Sequence, residues 1–422
     1  MSSEKNRKEI VFEVAKRAVL AARAMTRVSA GEKNRALNKV ADFLDEKSED
    51  IIFRNGIDVE AAREDSLAEP LIDRLVLDAG RIKSMTDGIR EVAELEDPVG
   101  EIIQESVRPN GLRIRKVRVP LGVIAMIYES RPNVTGDSAA LCLKSSNAVI
   151  LRGGSEALNS NLAVAHYIRE ALADTAVPPD AVQVIDDTDR EIVKHLVSMK
   201  GLVDVVIPRG SEAMINAVSS ASLVPVIGHG KGLCHIYVDS SADPEKAVEI
   251  TRNAKVQRPG VCNAVETLLI HSEAAEKILP EICRRLREDS VELVGDEKAR
   301  KICPEMGEAA DEDWSAEYLS LKLSVKVVSS LEEAVDHIER YGSRHSDCII
   351  AEDTCACDNF LRSVDSSCVY ANASTRFTDG AQMGLGAEIG ISNQKLHARG
   401  PMGLTELTTY KYHMLGNGQI RR

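Results

Sequence analysis

Pro120-Leu121-Gly122-Val123-Ile124-Ala125-Met126-Ile127-Tyr128 decides the fold. From Gly122 the run is apolar without alternation, so both faces of such a strand must be covered. The pattern recurs at Ala148–Leu151, Val182–Ile185, Val203–Ile207, Val224–Ile227 and His235–Val238. Amphipathic stretches that fit helices separate these runs at Asn159–Ala173, Arg190–Met199 and Glu212–Ser220. Apolar strands alternating with helices predict a parallel, doubly covered sheet. Ligands of such sheets bind beyond the carboxyl ends of the strands.

Outward from this core, residues 1 to about 95 read as helices. Ile10, Val14, Ala18 and Ala22 share one helical face, and Lys33 to Leu44 repeats the pattern. Asp97-Pro98-Val99-Gly100 ends it. From Leu112 to Pro120, apolar and basic residues alternate, which suits a half-exposed arm able to pair with another chain or to remain a solvated ribbon. A second α/β alternation follows Cys262, with strands at Val265–Ile270, Val291–Val294, Leu323–Val328, Asp347–Ala351 and Cys368–Ala371. Ser330-Leu331-Glu332-Glu333 reads as a capping box opening a helix over Leu331–Glu339. Residues 374–422 are glycine-rich and loop-like, with a short β segment near Leu404–Leu415.

A chain of 422 residues supports two or three domains. Aromatics make up 3%, so the core must be aliphatic. The net charge of −13 argues against a nucleic-acid surface and requires any anionic substrate to meet local Arg, Lys or N–H groups. Nine irregularly spaced cysteines imply free thiols in a reducing compartment. Cys355-Ala356-Cys357 has no second Cys/His pair nearby, so no metal site is expected. The charged N-terminus lacks a signal-peptide core and no run has the length of a membrane span, so a cytoplasmic protein without membrane attachment is expected.

Cys262 lies in Gln257-Arg258-Pro259-Gly260-Val261-Cys262-Asn263-Ala264, on a glycine-kinked loop at the mouth of a strand. A thiolate there can attack a carbonyl carbon. Neither G-x-G-x-x-G nor a P-loop occurs. Two strand-to-helix turns offer N–H groups to phosphate instead: Leu151-Arg152-Gly153-Gly154-Ser155-Glu156 and Ile207-Pro208-Arg209-Gly210-Ser211-Glu212. Either alone is explained by capping through Ser155 or Ser211. The two together suit a dinucleotide, and the arginines suit the extra 2′-phosphate of NADP. In Tyr128-Glu129-Ser130-Arg131-Pro132-Asn133-Val134-Thr135, Asn133 either donates to an oxyanion or caps the next helix. His337 reads as a structural helix histidine; His345, in a turn, is the better site candidate.

Pro120-Leu121-Gly122-Val123-Ile124-Ala125, Asn133, Asn147–Glu156 and Val177–Ile185 resemble the aldehyde dehydrogenase superfamily. The closer resemblance is to the gamma-glutamyl phosphate reductases. It rests on Tyr128–Thr135, Leu151–Ser155, Gln257–Asn263, His337-Ile338, Tyr341-Gly342-Ser343, His345-Ser346-Asp347, Asn372–Phe377 and His397–Pro401, in order along nearly the whole chain. The resemblance implies an α/β fold with two doubly wound parallel-sheet domains and a small β oligomerisation arm. A cofactor-binding domain would take residues 1–111 and 121–255, a catalytic domain 256–385, and the arm 112–120 with 400–417. The implied reaction is NADPH-dependent reduction of L-glutamate 5-phosphate to L-glutamate 5-semialdehyde and phosphate, the second step of proline biosynthesis from glutamate.

By the same resemblance, Cys262 forms a thioester, and Asn133 with the Cys262 N–H forms the oxyanion hole. Arg152, Gly153, Ser155, Gly210 and Ser211 take the adenosine and pyrophosphate, and Glu317 holds the nicotinamide ribose or is a surface glutamate. Arg131, Arg258, His345 and Arg376 are candidates for the substrate's carboxylate and phosphate. Ile227-Gly228-His229-Gly230-Lys231-Gly232 lacks the glutamate that activates water in oxidising relatives, which fits reduction, although His229 offers a substitute base. Expected partners are further copies of the chain and, transiently, glutamate 5-kinase. Two alternatives stand: an acylating aldehyde dehydrogenase passing its acyl group to coenzyme A, and a catalytically silent dinucleotide-binding scaffold.

Overall fold

The computed structural model describes residues 2–228 and 230–421, which divide between two compact units. The first comprises Met1–Gly228, Gly384–Gly390 and Met402–Arg422; the second comprises His229–Met383 and Ile391–Pro401.

The first unit opens with helices α1 (Ser2–Met25), α2 (Ala30–Glu46), α3 (Ser48–Glu64), α4 (Glu69–Leu75) and α5 (Ala79–Glu94). Val11, Val14, Ala15, Ala18 and Ala22 form the buried stripe of α1, whereas Ile10 is exposed. The stripe therefore starts one residue later than the sequence reading places it. A capping box starts α2: Glu32 N–H donates to Ser29 Oγ, and Ser29 N–H donates to the Glu32 carboxylate at 2.8 Å. At the Asp97-Pro98 break, the buried Lys33 ammonium pairs with Asp97 at 2.5 Å and donates to Lys144 O and Ser146 Oγ.

Strands β1 (Ile102–Val107) and β2 (Arg113–Pro120) pair antiparallel, and β2 also pairs antiparallel with a late strand at Thr408–Leu415. The arm is thus a three-stranded sheet. It gains residues 102–107, and its C-terminal strand begins at Thr408, since 400–402 pairs elsewhere.

The core of this unit is β3 (Val123–Tyr128), buried along its whole length. After it come α6 (Asn133–Lys144), β4 (Ala148–Gly153), α7 (Leu158–Leu172), β5 (Val182–Val184), α8 (Arg190–Leu196), β6 (Val205–Arg209) and α9 (Glu212–Ala221). The four strands form a parallel sheet in the order β5-β4-β3-β6. The expected strand Val224–Ile227 reduces to one bridge, Val206 to Val226, because Pro225 has no N–H to give to a ladder.

The second unit holds β7 (Cys234–Val238), α10 (Pro244–Val256), β8 (Val265–His271), α11 (Ser272–Glu288), β9 (Glu292–Gly295), α12 (Glu297–Ile302), β10 (Gly307–Glu308), β11 (Lys322–Val328), α13 (Leu331–Tyr341), β12 (Ser346–Ile350), α14 (Thr354–Ser363) and β13 (Cys368–Ala371). Its seven strands run parallel in the order β10-β9-β11-β8-β7-β12-β13. Short strands β14 (Gly390–Ser392) and β15 (Gly400–Met402) form a separate ribbon, and β16 is the arm strand Thr408–Leu415. The division falls at Gly228 rather than near residue 255, because β7 is paired on both edges, to β8 and to β12. Ahead of α13, Glu333 N–H donates to Ser330 Oγ, but the Glu333 carboxylate takes the N–H of Ser329, one residue earlier than a capping box requires.

Candidate active site

The sequence-derived candidates divide between the units. In the first, they gather at the carboxyl ends of β3, β4 and β6. Arg152 ends its strand nearly buried, with Nη2 donating to Thr188 O at 2.7 Å and Nε without a partner. Burial pulls its guanidinium below the usual range, with Glu156 and Asp187 opposing. A side chain on Gly153 would collide with the buried amide of Asn161. Ser155 is exposed at the start of the next turn.

At the second turn Ser211 caps α9, and its N–H donates to Glu129 Oε2 at 2.8 Å. A carboxylate oxygen already sits on that helix N-terminus, so the geometry accepts an anionic oxygen there. A Cβ on Gly210 would strike the same Glu129 carboxylate. The two glycine turns, Arg152 and the α9 N-terminus fit a dinucleotide phosphate.

Asn133 is the first residue of α6 and does not cap it; its amide donates to Asp137 Oδ2 at 2.9 Å. Burial pushes the Asp137 carboxyl up to about 6, against the Asn133 bond and Arg209. The adjoining turn has left-handed backbone at Ser130 (φ 44°), held because Glu156 accepts both the Ser130 N–H (2.6 Å) and hydroxyl (2.8 Å). Arg131 is half-buried beside it.

In the second unit the candidates Cys262 and His345 lie just ahead of β8 and β12, at the amino ends of these strands. Cys262 is half-buried just ahead of β8. A Cβ on Gly232 would overlap the Cys262 backbone and Cβ, so this glycine is the floor against which the cysteine packs. Glu317 is tied to that floor, its Oε1 accepting Gly232 N–H at 2.9 Å. Cys234 lies fully buried beneath, its Sγ 3.3 Å from the Cys262 carbonyl. Burial, Asp347 and Cys262 push the Cys234 thiol well up, so it stays protonated. Of these two cysteines, neighbours in space, Cys262 is the accessible one.

Arg376 donates to Gln257 Oε1 at 2.7 Å and to Asn263 Oδ1, which fixes it on the cysteine loop. Burial and then the neighbouring Arg258 pull its guanidinium below the usual range, while Asp379 and Cys262 oppose. Arg258 itself is exposed. His345 is fully buried, with Nδ1 2.9 Å from Ser346 Oγ and 3.8 Å from Cys234 Sγ. Its geometry is that of a side chain packed in the interior beside Cys234, not of an exposed contact. His337 is buried on α13 among His235, Trp314 and Tyr341, and burial first, then His235, drives it down to about 3. His229 lies outside the described residues. Cys355 and Cys357 sit on α14, and no group of three or more metal-capable side chains occurs among the described residues.

Sequence reasoning missed Glu129, Glu156 and Asp137, which shape the first-unit turns, and Cys234, Lys255 and Glu266 in the second unit. One signal was available. Glu266 is a carboxylate inside the apolar run Val265–Ile270, and a buried charge requires a partner.

The aldehyde dehydrogenase family pattern matches residues 2–313. The chain belongs to the aldehyde dehydrogenase family, in its gamma-glutamyl phosphate reductase branch. It is 54% identical to the gamma-glutamyl phosphate reductase of Caldanaerobacter subterraneus, over 97% of this chain and 99% of that one. The enzyme of the same name from Halothermothrix orenii is 52% identical, over 98% and 99%. The crystal structure of gamma-glutamyl phosphate reductase from Thermotoga maritima superposes with a TM-score of 0.96 at 48% identity, covering 98% of this chain and all of that one. The two parallel sheets are therefore those of the aldehyde dehydrogenase fold, and the chain is an oxidoreductase of that family.

Proposed function

We propose that the chain reduces L-glutamate 5-phosphate to L-glutamate 5-semialdehyde and phosphate, in proline biosynthesis from glutamate, through a thioester on Cys262. The arrangement at Cys262 carries the reading: an accessible thiol seated on Gly232, with Arg376 anchored on its own loop and Arg258 nearby. Near-full-length likeness to proteins named for this reaction supports it.

The Cys262 thiolate attacks the acyl carbon, and the carbonyl electrons move onto oxygen. Collapse of that adduct expels phosphate and leaves the thioester. Arg376 and Arg258 offset the charge of substrate and leaving group within an acidic chain. Asn133 keeps, as a proposal, the role of oxyanion donor. NADPH, when bound, would supply a hydride to the thioester carbon; the thiohemiacetal oxyanion on Cys262 then breaks its C–S bond, releasing aldehyde and regenerating the thiolate with no net proton taken up. Arg152, Gly153, Ser155, Gly210 and Ser211 would hold its adenosine and phosphates, and Glu317 its nicotinamide ribose. The unpartnered Nε of Arg152 suits a 2′-phosphate, favouring NADPH over NADH.

Assembly is proposed through the arm, where Tyr410, Tyr412, Met414 and Leu415 of β16 are exposed together. A transient complex with glutamate 5-kinase would protect the labile acyl phosphate; co-purification and channelling assays test it. No helix among the described residues is long and apolar enough to cross a membrane. A cytoplasmic location is proposed on the nine irregularly spaced cysteines, which suit a reducing compartment.

Cys262→Ala should abolish phosphate-dependent NADP reduction with glutamate semialdehyde while leaving the melting transition in place. Full activity in that variant refutes the mechanism. Replacing phosphate by coenzyme A as acyl acceptor separates this reaction from that of an acylating dehydrogenase.

A further inference from the structure

Lys255 and Glu266 form an ion pair in which both side chains are fully buried, with Nζ 2.5 Å from Oε2. Lys255 stands in the last turn of α10, and Glu266 is the second residue of β8. Between them lies the loop 257–264 that carries Cys262. Lys255 Nζ also donates to Val265 O at 3.0 Å, so the pair joins the loop's entry to its exit. The other Glu266 oxygen, Oε1, accepts the N–H of Leu319 at 3.2 Å. Leu319 has left-handed backbone (φ 52°) and lies two residues after Glu317. Its carbonyl approaches Gly260 on the cysteine loop, and Glu317 holds Gly232, the floor under Cys262.

A buried ion pair of this kind is not needed for stability. Apolar residues of similar volume are often as good or better. What an apolar pair cannot do is accept the Leu319 N–H and hold a non-glycine residue in the left-handed region. We propose that Lys255 and Glu266 are positioning residues for the chemistry at Cys262: they lock both ends of the cysteine loop to the segment that carries Glu317. The proposal rests on the function assigned to Cys262 above. Burial raises the Glu266 carboxyl and lowers the Lys255 ammonium, so removal of either changes the field behind the nucleophile. The groups facing Glu266 are Lys255 from α10, Cys234 from β7, and Glu317 and Tyr318 from the segment before β11.

The test uses the full-length enzyme with Glu266→Gln, Lys255→Met and the apolar pair Lys255→Met/Glu266→Leu. Glutamate semialdehyde oxidation with phosphate and NADP gives kcat and KM. Iodoacetamide alkylation, followed on the Cys262-bearing peptide across pH, reads the thiolate without hydride transfer. In folded variants kcat should fall about 100-fold with KM changed by no more than about threefold. The Cys262 alkylation profile should move by about one pH unit. If the single variants do not fold, the apolar pair decides by the same criteria. A folded apolar pair whose kcat and alkylation profile match the wild type overturns the proposal. If the wild-type enzyme does not act on glutamate semialdehyde, the functional reading fails, and the alkylation profile alone decides the positioning role.

Discussion

Replacing Gly232 by alanine drives one methyl group into the loop that carries Cys262. The backbone of Gly232 is not in the left-handed region, so alanine brings no conformational strain there. The cost is steric. The new Cβ would overlap the Cys262 carbonyl oxygen, Cα and Cβ, none of which can swing aside as a long side chain would. Restoring ordinary carbon–carbon separation needs about 1 Å of relative movement between the two segments. Overpacking of this sort costs about 1–3 kcal/mol. Each kcal/mol lowers the melting temperature of a unit of 150–250 residues by about 2–4 °C. The kinetic effect should be larger, because about 1 Å of misplacement at a nucleophile costs about 100-fold in rate. Glu317 holds the Gly232 N–H, so its segment should move with the floor. The assay is kcat for glutamate semialdehyde oxidation beside a thermal melt. A folded Gly232→Ala enzyme with kcat within twofold of wild type refutes the claim that this glycine sets the position of Cys262.

Arg152→Ala should raise KM for NADPH about 30-fold, the loss of one charge-assisted phosphate contact worth about 2 kcal/mol, while NADH kinetics change little. Equal losses with both cofactors would remove the 2′-phosphate assignment. Asp137 has its carboxyl raised to about 6 in the folded chain, so the folded state binds the proton more tightly than the unfolded one. Its contribution to stability is present below the unfolded carboxylate range, falls as pH rises through about 6, and is absent above. Asp137→Asn should therefore raise the melting temperature at pH 7–8 more than at pH 4, and a uniform shift across pH contradicts the assignment. Tyr410→Ser/Tyr412→Ser on the exposed strand β16 should lower the mass measured by light scattering if the arm joins copies, and an unchanged mass excludes that role.

Local pattern carried much of the fold. The unbroken apolar run of β3 and the flanking amphipathic helices follow from side-chain periodicity, which is written in neighbouring residues. The failures share a cause. Val224–Ile227 has the composition of a strand, but Pro225 leaves it a single bridge. The face of α1 was displaced by one residue because Ile10 and Val11 are alike in composition, and only packing exposes one and buries the other. The unit boundary was misplaced because β7 looks like the strands before it, and nothing local shows that it pairs with β8 and β12.

The site was legible in the same uneven way. Cys262 is marked by its loop, and the glycine turns by their position between strand and helix. Glu266 was visible as a charge in an apolar strand, but its partner, eleven residues away, was not. His345 was placed correctly ahead of a strand, yet its burial against Cys234, 111 residues away in sequence, is not written in its neighbours.

The sequence by itself determined an α/β chain of aliphatic parallel strands and a family, and it singled out Cys262 as the candidate nucleophile, because periodicity and short-range motifs are properties of adjacent residues. The tertiary structure alone decided which of two neighbouring cysteines is accessible and what holds the loop of Cys262. Those are matters of pairing and burial between distant segments, and a charge or thiol acquires its character from that burial.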